Sequence, residues 1–333
     1  MSRACLGISA ALLALLAIAV SGCKPARLQP QPQATRLILD FTPNAAHSGI
    51  YLAHQRGLDR AAGADLTIEA PSEPAQGLTQ LSNGTVDFAL LDINDLAIAN
   101  AKDPNHLVGI LAIIQTPMAA VLTSPAIKRP RDLEGKRAGV SGMPSDRAVL
   151  ASVVSGDGGN PDLVRNVTVG FKAVPSMLSG SIAGATGFWN VEGRALLAKS
   201  PASHEFRIDD YRGPTFPELI LVTTHAVINS HPALVDAVII GLEAGYNGVI
   251  AKPEDGVAAL VAGAPGTDAA VARGDLAAVL PSFTYKQEKF GMLDAGRLEG
   301  WASWAKRFGI VKVRPKMRKL FRGPQLRTRA RPF

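Results

Sequence analysis

The sequence predicts an α/β protein built from two successive units. Three observations carry that expectation. Apolar runs of strand length alternate with stretches of helical periodicity. The alternation changes character at "AIKRPRDLEGKRAGV" and starts again after it. Finally, 333 residues with 47% apolar and only 19% charged content are enough for two core-forming lobes.

The elements follow in order. "TRLILDF" (35–41) is the first predicted strand, and "AHSGIYLAHQRG" places Ala46, Ile50, Ala53 and Gly57 on one helical stripe, with Gly57 able to end the helix. "DLTIEAP" (65–71) reads as a second strand, "PAQGLTQLSNG" as a helix stopped by glycine, and "VDFALLD" (86–92) as a third strand. "HLVGILAIIQTPMAAVLTSP" (106–125) holds two more apolar runs separated by Thr116-Pro117. The second unit opens with "KRAGV" (136–140) as a strand, a helix over "SDRAVLASVVSG" capped by Ser145 or Asp146, and "VTVGF" (167–171) as a strand. "AGATGF" and "ELILVTT" (218–224) continue the apolar strands, and beyond Thr224 the chain is mainly helical. In "DAGRLEGWASWAKRFG" (294–309), Leu298, Trp301, Ala305 and Phe308 share a stripe between an Asp294 cap and a Gly309 stop.

The amino terminus differs from this body. Arg3 precedes the apolar run "AALLALLAIAV", which is shorter than the ~20 residues of a membrane-spanning helix and reads as the core of an export signal. "VSGC", Val20 to Cys23, resembles the bacterial lipobox. That resemblance implies a signal over 1–22, lipid on Cys23 and anchoring at the periplasmic face of a membrane. Residues 23–34, rich in proline and glutamine, are expected to be an extended tether. The other cysteine, Cys5, lies in the signal. A disulfide framework, a cysteine zinc site and a cysteine nucleophile are thereby excluded from the body.

The formal charge of +7 is unevenly placed. Residues 312–333 contain nine Lys or Arg and no acid, and removing those nine charges leaves the rest of the chain at −2. A solvated basic tail over 311–333 is the expectation, and no nucleic-acid-binding motif accompanies it.

The chain is expected to leave its first unit near residue 124 and return near 224, with "VLTSP" and "LVTTH" as crossings. This gives lobe 1 as 35–124 plus 225–310 and lobe 2 as 125–224. Export, tether and a two-lobed α/β body together resemble the solute-binding proteins of ABC importers. The resemblance implies a two-lobed periplasmic-binding-protein fold (type II, Venus-flytrap) hinged on two crossing segments.

Residues 40–58 narrow it. An aromatic-x-Pro-Asn-x-x-His-Ser/Thr-Gly signature is met by Phe41, Pro43, Asn44, His47, Ser48 and Gly49. With "GFWNVEG" (187–193) and "GPTFPELILVTT" (213–224), it resembles a family that joins fungal-type thiamine-pyrimidine synthases to periplasmic binding proteins. The ligands of those binding proteins are thiamine precursors, riboflavin, sulfonates, taurine and nitrate.

Candidate ligand residues follow from chemistry and position. Asn44 and the helix start near Ala46 offer donors at a cleft edge, and Phe41 offers an aromatic face. Tyr51 lies beside the helix entrance or in the core, and His47 either bonds ligand or holds the Pro43-Asn44 turn. Trp189 would stack on a flat heterocycle. Glu192, with Asn190 beside it, would accept from a ring amine, or else sit on a solvated helix start. In "SGMPSD", Ser141 and Ser145 line a donor-rich turn, where the resemblance implies anion contacts. Asp146 counts against a strongly anionic ligand if it points inward. Asp92 either accepts from an amino group or caps the next helix.

The expected function is capture of a small planar heterocycle, foremost a pyrimidine thiamine precursor, for an ABC permease and its ATPase. Riboflavin or a small anion such as a sulfonate, taurine or nitrate is the alternative. No cofactor, metal or nucleic acid is expected, and the expected state is a monomer. The synthase alternative is disfavoured because its cysteine-rich motif has no counterpart in the body. His47 and His54, seven apart, do not match the i, i+4 spacing of helical metal pairs.

Overall fold

A computed structural model describes residues 31–104, 106–286, 288–322 and 326–327. The expected signal, Cys23 and the tether up to residue 30 lie outside the described residues.

Twelve strands and thirteen α-helices are found among the described residues. The first unit runs β1 (Gln33–Ile38), α1 (Ser48–Gln55), α2 (Leu58–Ala62), β2 (Ala64–Glu69), α3 (Gln76–Ser82), β3 (Phe88–Asp92), α4 (Ile93–Lys102) and β4 (Leu107–Ile114). The second runs β5 (Ala119–Thr123), β6 (Arg137–Val140), α5 (Asp146–Gly156), β7 (Arg165–Thr168), α6 (Ala173–Leu178), β8 (Gly184–Phe188), α7 (Arg194–Lys199) and β9 (His204–Arg207). The chain then forms β10 (Leu219–Thr224), α8 (His225–Ser230), α9 (Pro232–Ala251), α10 (Pro253–Gly263) and α11 (Ala269–Val279). It ends with β11 (Leu293–Asp294), α12 (Ala295–Arg307), α13 (Met317–Leu320) and β12 (Leu326–Arg327).

Two five-stranded sheets result, ordered β2-β1-β3-β10-β4 and β7-β6-β8-β5-β9, with β11 and β12 pairing separately. Each sheet has a parallel core, β2-β1-β3 and β7-β6-β8, and takes one antiparallel strand, β10 or β5. Those two strands are the first elements after each passage between sheets. The passages are Gln115–Met118 and Arg212–Glu218, each several residues ahead of the segments expected to cross at 124 and 224. The reason lies at Thr116-Pro117: proline has no N–H for the ladder, so pairing with the first sheet stops there. "VLTSP" accordingly begins inside the second sheet and "LVTTH" inside the first. The first strand also begins within the expected tether, since Gln33 and Ala34 pair with Ala64 and Asp65.

Both faces of the sheets are covered. Leu37 and Leu39 point into one buried cluster and Ile38 into another, the two-residue alternation of a pleated strand. All eight residues of β4 are buried, which explains a sequence without polar alternation. α9 is twenty residues long and apolar enough to cross a membrane by length and composition. Here it packs against α1, α2 and α10. Gly49 and Gly245 allow its close approach: a Cβ on Gly49 would penetrate the Tyr246 ring, and one on Gly245 would strike the Gly49 carbonyl. Tyr246 in turn donates to the Ala46 carbonyl at 2.8 Å and stacks on Phe290. Gly57, at φ +66°, ends α1 as expected.

The tail departs from expectation. Val311, Met317, Leu320 and Phe321 are buried in the second cluster, and Phe321 reaches Trp301 edge-on and bridges to Gly109 in β4. A solvated ending from 311 is corrected over 311–322, because four apolar side chains at helical and strand spacing find a groove beside β4. Residues 323–325 and 328–333 lie outside the described residues.

Candidate functional site

The parallel cores of the two sheets turn the carboxyl ends of their strands toward a shared cavity, the usual place for ligands in α/β sheets. Asp40 and Phe41 follow β1, and Asp92 ends β3. From the second sheet come Ser141 and Ser145 after β6, Phe171 after β7, and Thr186 to Phe188 of β8 with Glu192 beyond. The two sides already touch. The Ser145 N–H donates to Asp95 of α4 at 3.2 Å, and the Phe41 and Phe171 rings meet edge-on at 4.5 Å. Arg194 of α7 pairs with Asp275 of α11 farther out. This is a closed arrangement.

Carboxyl groups dominate the wall. Asp40, Asp92, Asp95, Asp146 and Glu192 all line the cavity, and no Lys, Arg or His does so among the described residues. Burial raises the proton affinity of Asp92, Asp95, Asp146 and Glu192. Glu192 is pushed up to about 7 by desolvation, opposed by backbone N–H groups including that of Phe188 at 3.1 Å. Asp92 rises to about 6 for the same reason, although it caps α4 by accepting from Asn94 N at 2.6 Å. Asp95 lies well above the carboxylate range through burial and then the charges of Asp92 and Asp146. Asp146 is raised by burial despite accepting from Ser141 Oγ, Thr186 Oγ1 and the N–H groups of Gly142 and Met143. Behind Asp92, Glu218 accepts from the N–H groups of Met118 and Ala119 and so ties the two passages together. Burial and the Asp92 charge raise it too.

The structure divides the ten predicted site residues. Phe41, Asp92, Ser141, Ser145 and Glu192 line the cavity, whereas Asn44, His47, Tyr51, Trp189 and Asn190 do not. Asn44 spends its side chain on the turn, accepting from Ala46 N at 2.9 Å and donating to the Thr42 carbonyl at 3.0 Å. His47 is 0% exposed. Its Nδ1 accepts from Asn44 N at 3.2 Å, so Nε2 carries the proton donated to Asp40 at 2.8 Å. The signature histidine therefore holds the turn and aims Asp40, which faces the cavity in its place. Tyr51 packs against Gly263 in the core.

Trp189 is also structural in this arrangement. Its Nε1 donates to the Pro117 carbonyl at 3.0 Å and Arg207 covers its ring at 4.1 Å, so the indole anchors the first passage. The single π-helical turn Trp189–Gly193 buries Trp189 and Asn190 while returning Glu192 over the end of β8. Gly187 permits that return, since a Cβ there would already touch Glu192 at 3.4 Å. The aromatic wall is instead Phe41, Phe171 and Phe188. Sequence reasoning missed Asp40, Asp95, Phe171 and Phe188. A usable signal existed for Asp40 and Phe171, each at the carboxyl end of a predicted strand, but Asp95 enters only through the first turn of α4. The serines donate toward Asp146 and Asp95, not toward an anion.

One other cluster has metal-ligand chemistry. His54, Asp59 and Asp65 bring ligand atoms within 4.8 Å of one another at the α1–α2 corner. Asp59 is occupied by His54 and by the N–H groups of Arg60 and Leu66, and Asp65 by the Arg60 guanidinium.

Two mixed sheets with a cavity between their strand ends make up the periplasmic-binding-protein fold. The alkanesulfonate-binding protein from Xanthomonas axonopodis pv. citri, solved with MOPS bound, aligns with a TM-score of 0.67 at 16% identity, over 87% of this chain and 96% of the other. Residues 44–256 match the model of the NMT1/THI5 like family, and the chain belongs to that family. It is 26% identical over 253 residues to the formylaminopyrimidine-binding protein of Halalkalibacterium halodurans, covering 75% of this chain and 76% of that one. It is also 26% identical over 178 residues to a 4-amino-5-hydroxymethyl-2-methylpyrimidine phosphate synthase of Legionella pneumophila, covering 53% and 56% respectively.

Proposed function

We propose that the protein is the solute-binding component of an ABC importer and that its ligand is a flat, amino-substituted heterocycle of the pyrimidine thiamine-precursor class. The observation that carries this reading is the cavity wall: five carboxyl groups and three phenylalanines, with no lining cation among the described residues. Such a wall suits a ring with exocyclic amine and ring N–H donors, and it repels anions. The formylaminopyrimidine-binding relative supports the same class. Sulfonate, taurine and nitrate fit this wall poorly, although the fold is shared with an alkanesulfonate binder.

Binding rather than catalysis is favoured because the body carries no cysteine for the synthase chemistry. In the proposed cycle the protein is exported, held at the periplasmic face of a membrane by lipid on Cys23, and works as a monomer. The halves carrying the two sheets turn about Gln115–Met118 and Arg212–Glu218, and the closed form is presented to a permease and its ATPase. Closure is driven only by the ligand's greater affinity for the closed state, and contacts from both sheets supply that difference.

The test is a thermal-shift and calorimetric panel of aminopyrimidines, riboflavin, taurine, an alkanesulfonate and nitrate. An aminopyrimidine is expected to bind tightest, and Phe171→Ala to weaken it about threefold to tenfold through loss of the aromatic contact. Tighter binding of any anion in the panel would sink the reading.

A further inference from the structure

A cluster of lysines lies away from the cavity, largely on the part of the chain expected to be a loose tail. Between the carboxyl end of α4 and the segment Ile310–Leu320 runs an open groove of about 680 Å3. Its floor is apolar, with Ala97, Ile98, Val311 and Leu320. Its rim carries Lys102, Lys312, Arg314, Lys316 and Lys319, and no carboxylate lines it among the described residues. Arg314 shares its charge with Glu299, while the four lysines have no carboxylate partner among the described residues. Val313, on the same rim, is 79% exposed.

These cations are held in place. Met317, Leu320 and Phe321 anchor the segment in the core, so Lys312, Lys316 and Lys319 project from folded backbone. A fixed cluster of lysines around an apolar floor, on a chain otherwise at −2, is a directional device and not diffuse basicity.

We propose that this groove and its rim dock on an anionic phospholipid bilayer, with headgroup phosphates on the lysines and Val313 with the apolar floor against the acyl boundary. Charge complementarity selects the anionic headgroup. The apolar floor and the exposed valine favour a bilayer over a nucleic acid, which calls for cations interleaved with aromatic stacking faces. No aromatic residue lines the groove among the described residues. The proposal holds whatever the cavity binds.

The experiment uses the unlipidated body Pro32–Phe333, which forms one compact unit holding both sheets and both buried clusters. Sedimentation is measured with vesicles of phosphatidylcholine alone and of phosphatidylcholine mixed with phosphatidylglycerol, with heparin as a soluble polyanion. The body is expected to bind only the mixed vesicles, with affinity falling as salt rises. The triple variant K312Q/K316Q/K319Q is expected to lose roughly a hundredfold, about fivefold per lysine. Val313→Ser, which removes the apolar side chain without changing charge, is expected to weaken vesicle binding severalfold while leaving heparin binding nearly unchanged. Both variants alter exposed side chains, so unchanged thermal unfolding separates lost docking from lost folding. The proposal is overturned if both vesicle types bind alike or the triple variant binds like the parent. It is equally overturned if Val313→Ser has no effect on vesicles while the triple variant loses heparin and vesicles in parallel, which would make the face a general polyanion site.

Discussion

Glu192→Gln should make the protein more stable and a worse binder. The Glu192 carboxyl is raised from its ordinary 4.5 to about 7 chiefly by burial. A carboxyl whose folded value exceeds its unfolded value binds more protons in the native state than in the unfolded one. Stability therefore falls as pH rises between those two values, and the full penalty is present above about 7. A rise of about 2.5 units at ~1.36 kcal/mol per unit amounts to about 3 kcal/mol. Glutamine keeps the shape and an oxygen to accept from Phe188 N–H, but it cannot ionise. Urea unfolding of the ligand-free protein above pH 7 should thus show Glu192→Gln more stable by about 1–3 kcal/mol, the gain vanishing by pH 4.5. Calorimetry should show the opposite sign for an aminopyrimidine, with affinity about tenfold to a hundredfold lower through loss of a charge-assisted bond. A variant less stable than the parent above pH 7, or one with an unaltered pH slope, would refute the burial argument. Unchanged affinity with raised stability would refute only the contact with ligand.

Two further outcomes test the packing. Gly245→Ala drives a Cβ into the Gly49 carbonyl and should cost about 1–3 kcal/mol by forcing α9 off α1, read as a lowered unfolding midpoint. Phe321→Ala removes a side chain that is 1% exposed beneath Trp301 and should cost about 3–5 kcal/mol; a change within error would return this segment to the status of a loose tail.

Much of the fold was legible because its elements carry local signals. "VDFALLD" and "KRAGV" are apolar runs bounded by polar or glycine residues, and each contains a strand, while "TRLILDF" holds the last four residues of β1. Asp294 was legible as a cap because the signal is a carboxylate three residues before its N–H partner; its Oδ1 accepts from Arg297 N at 2.7 Å. β9, "HEFR", escaped notice because two of its four residues are charged and its neighbour β5 supplies the pairing. The passages were misplaced because an apolar strand looks the same whichever sheet receives it.

The site divides along the same line. Composition and residue order by themselves determined that the chain is α/β and that its body lacks cysteine, while resemblance to a family's motifs marked residues 40–49 and 187–193. Which side chains face the cavity was decided only in three dimensions. His47 and Trp189 are the chemically conspicuous members of their motifs, yet one aims Asp40 and the other braces Pro117. A motif records which residues occur together, and it is silent on which of a residue's polar atoms the backbone has already taken. The five carboxyls come from Asp40, Asp92, Asp95, Asp146 and Glu192, positions far apart in the chain. The desolvation of Asp92, Asp95, Asp146 and Glu192 exists only once the two sheets share one space.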